Sequence, residues 1–472
     1  MKRIMFVVAM ALCLAACATQ GVRTCEGDSP AMAKAPSPAG SNARHEEIRS
    51  KIRTRVEFHH AAIAPEAYQS NEPLFLIGLE KPRAFSRRPY CASGETGCNG
   101  VTIDPEKFDA VGAGNVNAVT RTRQDIRRTL FQDPRSLVVT HMVRTRWTKG
   151  DGSFSTGGCY VFNVYGLGSG SKWCDNSIAD DVVSPEWTRS GWFAFDKLRL
   201  EIEKLAKQRQ ATHLVFLATG WNTDEYESYR DFVQWMDQIG AAAKGREYRP
   251  IYIGVAWESK YNSVPNPASF TTKGNDADEI AFSWANRMLN DILLPLAADI
   301  GTHVVGIGHS FGARIVFGSH YVRSVQGRQP AARPQRLTLI GLQAAFPIGR
   351  FITQQGEEHQ YLQQNLGTAT AVITSSEFDQ ANERITLAGG YAGGKWALSS
   401  IRQQRRLYAD ALSLREADSS GKPKTYPDET RVSIYDASAF VNCQLQGTTG
   451  GAHSDVYDAE MGRFIAEVLF GR

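Results

Sequence analysis

Six short apolar runs, separated by segments with helical spacing, constrain the fold of this chain more than any other feature. Each run is apolar at successive positions, as in a strand that is covered on both faces of a sheet. The intervening segments place apolar residues three and four positions apart. Strands and helices in alternation predict an α/β fold with a mostly parallel, doubly wound sheet over residues 191–472. The predicted strands are His213–Ala218, Pro250–Trp257, His303–Ile307, Leu337–Leu342, Thr368–Thr374 and Arg431–Tyr435.

Residues 57–190 have a different sequence pattern, in which short apolar runs are broken by Gly, Pro, Asn and Asp. Strands are predicted at Leu74–Gly78, Leu137–Val143 and Cys159–Val164. We therefore expect a β-rich N-terminal extension before the α/β domain. Its role does not follow from the sequence.

The first 16 residues have the pattern of a secretory signal peptide. Met1–Arg3 is basic, and the apolar run Ile4–Ala16 that follows is shorter than the roughly 20 residues of a transmembrane helix. Residues 17–56 are rich in Ala, Ser, Pro, Gly and charge, which predicts a flexible tether. Ordinary secretion is one interpretation of such an N-terminus.

Leu14-Ala15-Ala16-Cys17 resembles the lipobox of bacterial lipoproteins. The resemblance implies cleavage before Cys17 and attachment of acyl chains such as palmitate to that residue. Several chains on one residue anchor a protein firmly in a membrane. Ala18 stands where Asp would signal retention in the inner membrane, so the resemblance implies lipid anchoring in the cell envelope, at the outer membrane.

The remaining cysteines are consistent with export into an oxidising compartment. The spacings of Cys91 and Cys98, and of Cys159 and Cys174, suit short-loop disulfides. Pairing cannot be deduced from sequence alone, and a bond between Cys25 and Cys443 stays open.

Net charge argues against a nucleic-acid partner. The 53 basic and 49 acidic residues leave a formal charge of only +4, and the arginines form no stripe. No metal ion or organic cofactor is expected. The glycine-rich segment 389–395 begins like a phosphate-binding loop, but Trp396 occupies the position of the magnesium-binding Ser or Thr.

A G-x-S-x-G pentapeptide, Gly308-His309-Ser310-Phe311-Gly312, lies between the predicted strand ending at Ile307 and a predicted helix. The strand–turn–helix context is the one that a nucleophile elbow requires. The turn is so tight that Gly308 and Gly312 must lack side chains, and it raises the Ser310 hydroxyl above the sheet.

With this pentapeptide in that context, residues Trp192–Arg472 resemble the α/β-hydrolase superfamily. The resemblance implies a nucleophile, an acid and a histidine in that chain order. His453, in a loop after the last predicted strand, is where the superfamily places its base. Asp379, just past the strand Thr368–Thr374, is the preferred acid; Glu377 and Asp436 are alternatives.

An oxyanion hole needs two backbone N–H groups beside the nucleophile. Phe311, the residue after Ser310, supplies the first. Thr219-Gly220-Trp221-Asn222 follows an early strand and resembles the H-G-Y-N segment of a little-characterised bacterial group of these hydrolases. By that match Trp221 supplies the second N–H, while Thr219 replaces the usual His.

The sequence thus predicts an exported, lipid-anchored serine hydrolase that cleaves carboxylic esters, with Ser310 as nucleophile, His453 as base and Asp379 as acid. The expected partners are an acyl ester or lipid-like substrate and, through the anchor, a membrane. A surface-tethered binding module on a hydrolase scaffold is the alternative from another class. Acyl transfer in place of hydrolysis is a further alternative.

Overall fold

A computed structural model of the chain describes residues 23–25, 69–80, 90–92, 101–103, 137–147, 157–163, 172–178, 187–259, 266–325, 336–351, 369–384, 390–403, 409, 411–427, 430–445 and 450–471. Cys17 and Cys98 lie outside these residues. The signal peptide and all of the tether except residues 23–25 do so too, so the predictions made for them stay predictions.

The described strands alternate with helices over the C-terminal part of the chain. The strands are β1 (Arg23–Cys25), β2 (Gln69–Ser70), β3 (Leu74–Glu80), β4 (Tyr90–Ala92), β5 (Val101–Ile103), β6 (Val138–Arg144), β7 (Arg146–Trp147), β8 (Cys159–Asn163), β9 (Trp173–Ile178), β10 (His213–Ala218), β11 (Pro250–Trp257), β12 (His303–His309), β13 (Leu337–Leu342), β14 (Ala369–Ser375), β15 (Leu412–Glu416), β16 (Val432–Asp436) and β17 (Cys443–Leu445). The α-helices are α1 (Trp187–Arg209), α2 (Glu225–Ala242), α3 (Asn266–Ile280), α4 (Leu294–Ile300), α5 (Phe311–Val325), α6 (Ala381–Arg384), α7 (Lys395–Gln403) and α8 (Ala459–Phe470). Two π-helical segments, Ala281–Ala285 and Arg287–Leu293, lie between α3 and α4, and 3₁₀ turns cover Ile348–Phe351 and Ala452–Ser454.

Eleven of these strands form one sheet in the order β15-β16-β14-β13-β12-β10-β11-β3-β6-β8-β9. From β15 to β3 every neighbouring pair is parallel. β6 pairs antiparallel with both of its neighbours, and β8 and β9 are again parallel to each other. The protein therefore has an α/β fold built on a large, mostly parallel sheet.

Helices cover both faces of the sheet, because successive strand residues are apolar and face opposite sides. Phe216 of β10 belongs to the core formed with α1, α3 and α5, whereas Leu217 belongs to the core formed with α2 and α8. Trp284 stacks on Phe195 of α1 in the first core, and Trp235 of α2 lies in the second. Buried runs such as Leu214–Ala218 gain stability by leaving water on both faces.

The strands predicted for the N-terminal extension belong to the same sheet as the strands of the α/β part. β3 lies between β11 and β6, where Tyr252 aligns with Leu74 and Trp257 with Leu79. All seven residues of β3 are buried. Of the described strands before residue 190, β3, β6, β8 and β9 thus continue the large sheet, whereas β2 pairs with β7 and β4 with β5 in separate two-stranded sheets.

The predicted disulfide between Cys159 and Cys174 is present and joins β8 to β9. Cys443 is also disulfide-bonded, and its strand, β17, pairs in parallel with β1, which carries Cys25. Within the described ranges, no helix has both the length and the apolar character that crossing a bilayer requires.

Candidate active site

The proposed site lies between β10 and β12, two neighbouring strands from which the chain continues toward opposite ends of the sheet. β10 is followed in the chain by its neighbour β11 on one side, whereas β12 is followed by its neighbour β13 on the other. The connections after β10 and β12 diverge to opposite faces and leave a crevice at the carboxyl ends of these strands. Ligands of open α/β sheets bind at such a crevice. Gly220 follows β10 at this edge, and Ser310 follows β12.

Ser310 has the backbone conformation of a nucleophile elbow. Its φ of 54° is in the left-handed region, which L-residues other than Asn and Asp rarely adopt. Its N–H donates to the carbonyl of Leu342 at 3.0 Å, and its own carbonyl accepts from Ala345 at 3.1 Å. These bonds to the last residue of β13 and to the segment that follows it hold the strained turn in place.

The two glycines of the pentapeptide occupy positions where a side chain would not fit. A Cβ on Gly308 would lie 2.3 Å from the carbonyl oxygen of Gly312, and one on Gly312 would lie 2.0 Å from that of Ala218. The turn therefore leaves no room for a side chain at either position. The close packing of Gly312 on Ala218 also fixes the start of α5 against the end of β10.

His453 and Asp379 meet in the structure. Nδ1 of His453 lies 2.9 Å from Oδ2 of Asp379, whose side chain is fully buried, while the His453 side chain is 13% exposed. A carboxylate only accepts hydrogen bonds, so Nδ1 carries the proton in this pair. The Nε2 atom of the imidazole is therefore the one left to accept a proton.

Backbone and side-chain contacts fix Asp379 and His453 against each other. Asn382 donates to Asp379 twice, from its backbone N–H to Oδ1 at 3.0 Å and from its side-chain Nδ2 to Oδ2 at 2.8 Å. Asp379 and Gly451 form an antiparallel bridge, and the N–H of Ala452 donates to the carbonyl of Phe378 at 2.9 Å. The loop that carries His453 is thus paired with the turn that carries Asp379.

The two alternative acids lie elsewhere. Glu377 is 42% exposed and pairs with Arg402 of α7 at 2.6 Å, and Asp436 pairs with the same guanidinium. Asp436 also accepts from the hydroxyl of Ser438 at 2.6 Å. Among the three carboxylates considered, Asp379 is the one hydrogen-bonded to His453.

The segment proposed for the oxyanion hole lies directly against Ser310. A Cβ on Gly220 would lie 2.7 Å from Cβ of Ser310, so only glycine allows this approach. Trp221 is the next residue, and the N–H of Phe311 is at the first position of α5, where no preceding turn of helix can accept from it. Both predicted donors therefore lie in segments that touch Ser310.

Side chains around this loop hold its shape. Nε1 of Trp257 donates to the carbonyl of Thr219 at 3.0 Å, and the Thr219 hydroxyl lies 2.8 Å from that of Ser228. Asp224 then caps α2 in a reciprocal capping box with Glu227. Thr219 thus takes part in the hydrogen bonds that anchor the loop.

Aromatic side chains pack beside the loop that contains Trp221. The ring of Trp221 packs edge-on against Phe270, with ring centroids 5.3 Å apart, and Phe270 packs against Phe311 at 4.6 Å. The ring centroid of Tyr391 lies 6.1 Å from that of Phe270. The proposed oxyanion segment is therefore flanked by an apolar surface.

Two residues that matter in this geometry were not found from the sequence. Asn382 follows the acid by three residues, a spacing at which a side chain commonly bonds back to the turn, and this was an available signal. His309 lies inside the pentapeptide, and its Nε2 atom contacts the carbonyl oxygen of His453 at 2.9 Å. No sequence pattern indicates that contact, because the two residues are 144 positions apart.

Comparison with known proteins adds no assignment. No family model matches the chain, and no curated protein matches its sequence.

Proposed function

We propose that this protein is a serine hydrolase of the α/β-hydrolase type that cleaves carboxylic esters through an acyl-enzyme. The observation that carries the proposal is the hydrogen bond between His453 and Asp379, formed beside a serine with a left-handed backbone at a strand-to-helix turn. A serine is a weak nucleophile until an oriented base accepts its proton, and this arrangement supplies one.

In the proposed reaction, Oγ of Ser310 attacks the ester carbonyl carbon while Nε2 of His453 takes the hydroxyl proton. The N–H groups of Trp221 and Phe311 stabilise the negative charge on the carbonyl oxygen. As the C–O bond to the alcohol breaks, His453 gives its proton to the departing oxygen. A water molecule then attacks the acyl-enzyme by the same route, releasing the carboxylic acid and restoring Ser310. Asp379 stabilises the imidazolium that forms in both steps.

The surroundings of the oxyanion segment favour an apolar acyl or alcohol group. Phe270 is 8% exposed and lies between Trp221 and Phe311. Aromatic surfaces of this kind bury the apolar parts of a ligand beside a few polar groups. We therefore propose an acyl ester with an apolar chain as the substrate class.

The direct test is covalent labelling with a fluorophosphonate, which reacts with activated serines. We expect wild-type protein at pH 8 to be labelled once, on Ser310, and labelling to be abolished in Ser310→Ala and His453→Ala. Ser399→Ala, on α7, is the matched control and should label like wild type. Folded wild-type protein that resists the probe, both with and without detergent micelles, would overturn the hydrolase proposal and favour the binding module.

A panel of p-nitrophenyl acyl esters of increasing chain length tests the substrate class. We expect turnover to rise with chain length over the first several carbons, because the aromatic surface gains contact with the chain. Adding an alcohol that can accept the acyl group distinguishes hydrolysis from acyl transfer. A new ester formed in preference to free acid would identify an acyltransferase.

We also propose that the protein is exported and anchored in the bacterial cell envelope through acyl chains on Cys17, as the Leu14–Cys17 segment suggests. Wild-type protein should partition with the membrane fraction, and Cys17→Ser should remain unmodified. An intact mass that shows an unmodified wild-type protein in the soluble envelope fraction would contradict the anchor and leave the hydrolase proposal untouched.

A further inference from the structure

His309 is the residue immediately before the proposed nucleophile, and the reaction described above does not use it. The residue is 6% exposed, and its ring lies against the ring of His453, with centroids 4.8 Å apart. Its Nε2 atom lies 2.9 Å from the backbone carbonyl oxygen of His453. A carbonyl only accepts, so Nε2 of His309 is the donor.

The His309 ring is held in its neutral form, which can still donate this bond from Nε2. Burial, together with the neighbouring His453, lowers the pKa of His309 to about 3. The ring is therefore neutral throughout the range in which a serine hydrolase works, and a neutral imidazole with its proton on Nε2 remains a donor to the carbonyl. The ring of Tyr457 packs edge-on against that of His309, with centroids 6.0 Å apart, and its hydroxyl donates to Asp231 at 2.9 Å.

This contact joins the backbone of the His453 loop to the residue next to Ser310. Among the described residues, the Ser310 hydroxyl makes no hydrogen bond to the His453 imidazole. The separation of the two groups is therefore set by where their backbones lie. The loop before His453 contains Gly450 and Gly451, both with positive φ, so it has more backbone freedom than other segments.

We infer that His309 is a positioning residue for the base. By donating to the His453 carbonyl, it ties the loop that carries the base to the elbow that carries the nucleophile. Asp379 orients the imidazole ring, and His309 places the backbone from which that ring extends. This inference rests on the proposed function, because it assigns His309 a role in the same reaction.

Three variants separate the hydrogen bond from packing and from folding. His309→Phe keeps a ring against His453 and Tyr457 but removes the donor. His309→Gln keeps an N–H donor of similar reach. Tyr457→Phe is the matched control, because it removes the hydroxyl bond to Asp231 that anchors the same loop and leaves the His309 contact intact.

The measurements are kcat and KM for a p-nitrophenyl ester, the rate of fluorophosphonate labelling, and the thermal midpoint of each variant. We expect His309→Phe to lose about 10²-fold in kcat and in labelling rate with little change in KM, the size of effect that a misplacement of about 1 Å produces. His309→Gln should recover most of that loss. Tyr457→Phe should lower the thermal midpoint and keep kcat near that of wild type.

The outcomes distinguish failure of the inference from failure of the proposed function. If wild type labels on Ser310 and His309→Phe labels equally fast, the inference is wrong and the hydrolase proposal stands. If the loss in kcat follows the thermal midpoint across all three variants, His309 contributes stability alone and the inference is overturned. Should His309→Phe fail to fold, His309→Met and His309→Gln form a pair of similar shape that differs in the donor, and equal rates for the two would refute the inference.

Discussion

At the scale of single residues, the carboxylates considered as the acid differ in their hydrogen-bond partners. Asp379 contacts the imidazole of His453, whereas Glu377 is half exposed and contacts Arg402. Replacing Asp379 removes the group that holds the proton on Nδ1 of the base. The same chemical change at Glu377 leaves the base in place.

We therefore expect Asp379→Asn to lower kcat by about 10⁴-fold, because the imidazole then adopts the wrong tautomer. Glu377→Gln is the matched control and should stay within a few-fold of wild type. Steady-state kinetics with a p-nitrophenyl ester check both. A larger loss in Glu377→Gln than in Asp379→Asn would move the acid to Glu377.

The buried carboxyl group of Asp231 leads to a second prediction, which concerns the free energy of unfolding. Its burial raises its pKa to about 7, against a partial opposing effect of Arg230. The folded protein then keeps a proton that the unfolded chain releases above about pH 4, so the free energy of unfolding falls as the pH rises from about 4 to 7. Asp231→Asn keeps an acceptor for the Tyr457 hydroxyl and removes the ionisable group.

Asp231→Asn should gain up to about 4 kcal/mol in unfolding free energy over wild type at pH 8 and show no such gain at pH 4. Urea denaturation at the two pH values measures the difference. Asp299→Asn, at a surface position, serves as the control and should show neither effect. An equal gain for Asp231→Asn at both pH values would mean that the raised pKa is not its cause.

At the scale of elements, strand β6 supports the helix that follows the proposed oxyanion segment. Nε2 of His141 in β6 lies 3.0 Å from Oε1 of Glu225, the first residue of α2, and both side chains are fully buried. On its other side, Nδ1 of His141 lies 3.0 Å from the hydroxyl of Thr140, which donates to Glu80. A buried chain of polar groups thus joins the N-terminal strands to the residues beside the site.

We expect His141→Leu to lower the free energy of unfolding by about 3–5 kcal/mol, since it removes one member of a buried pair. Adding Glu225→Gln in the same protein should restore part of that loss, because the remaining partner is then neutral. Urea denaturation of the two single variants and the double variant gives the coupling. Strictly additive losses would show that the two side chains do not stabilise each other.

The elements that could be predicted from sequence are those buried on both faces. His213–Ala218, Pro250–Trp257 and Leu337–Leu342 occur with the predicted bounds, because an unbroken apolar run of that length fits a central strand. β15 was missed, since it lies at the edge of the sheet and four of its five residues are partly exposed or exposed. Its alternating pattern is weak and short.

For the proposed site, the motif and the chain order led to Ser310, Asp379 and His453. The pentapeptide supplies a local signal, and the positions of the acid and base follow from strands that were themselves predictable. The contact of His309 with His453 could not be predicted. It depends on how closely two distant backbones approach, and no spacing in the sequence records that distance.

At the scale of the whole molecule, the sheet places the disulfide far from the proposed site. Cys159 and Cys174 join β8 and β9 at one edge, while Ser310 follows β12, with β6, β3, β11 and β10 between β8 and β12. The bond closes a loop across a sequence separation of 15 residues.

Replacing both cysteines by serine should therefore lower the free energy of unfolding by about 3 kcal/mol. kcat/KM measured well below the unfolding transition should be unchanged. Urea denaturation and steady-state kinetics on the same preparation check the two statements. Loss of activity in folded protein would show that the edge of the sheet and the site are coupled.

The insertion of β3 between β11 and β6 has a consequence for folding kinetics. Leu74–Glu80 leaves the ribosome long before Pro250–Trp257, its parallel partner, has been synthesised. Until then, β6 is the one neighbouring strand of β3 that exists, so the other edge of a strand that is buried at every position stays unpaired, and such segments aggregate readily. Because β3 and β11 are far apart in the sequence, the chain also finds their native pairing slowly. Refolding from denaturant should accordingly be slow and sensitive to protein concentration, and a holding chaperone that shields this strand should raise the yield without changing the final stability.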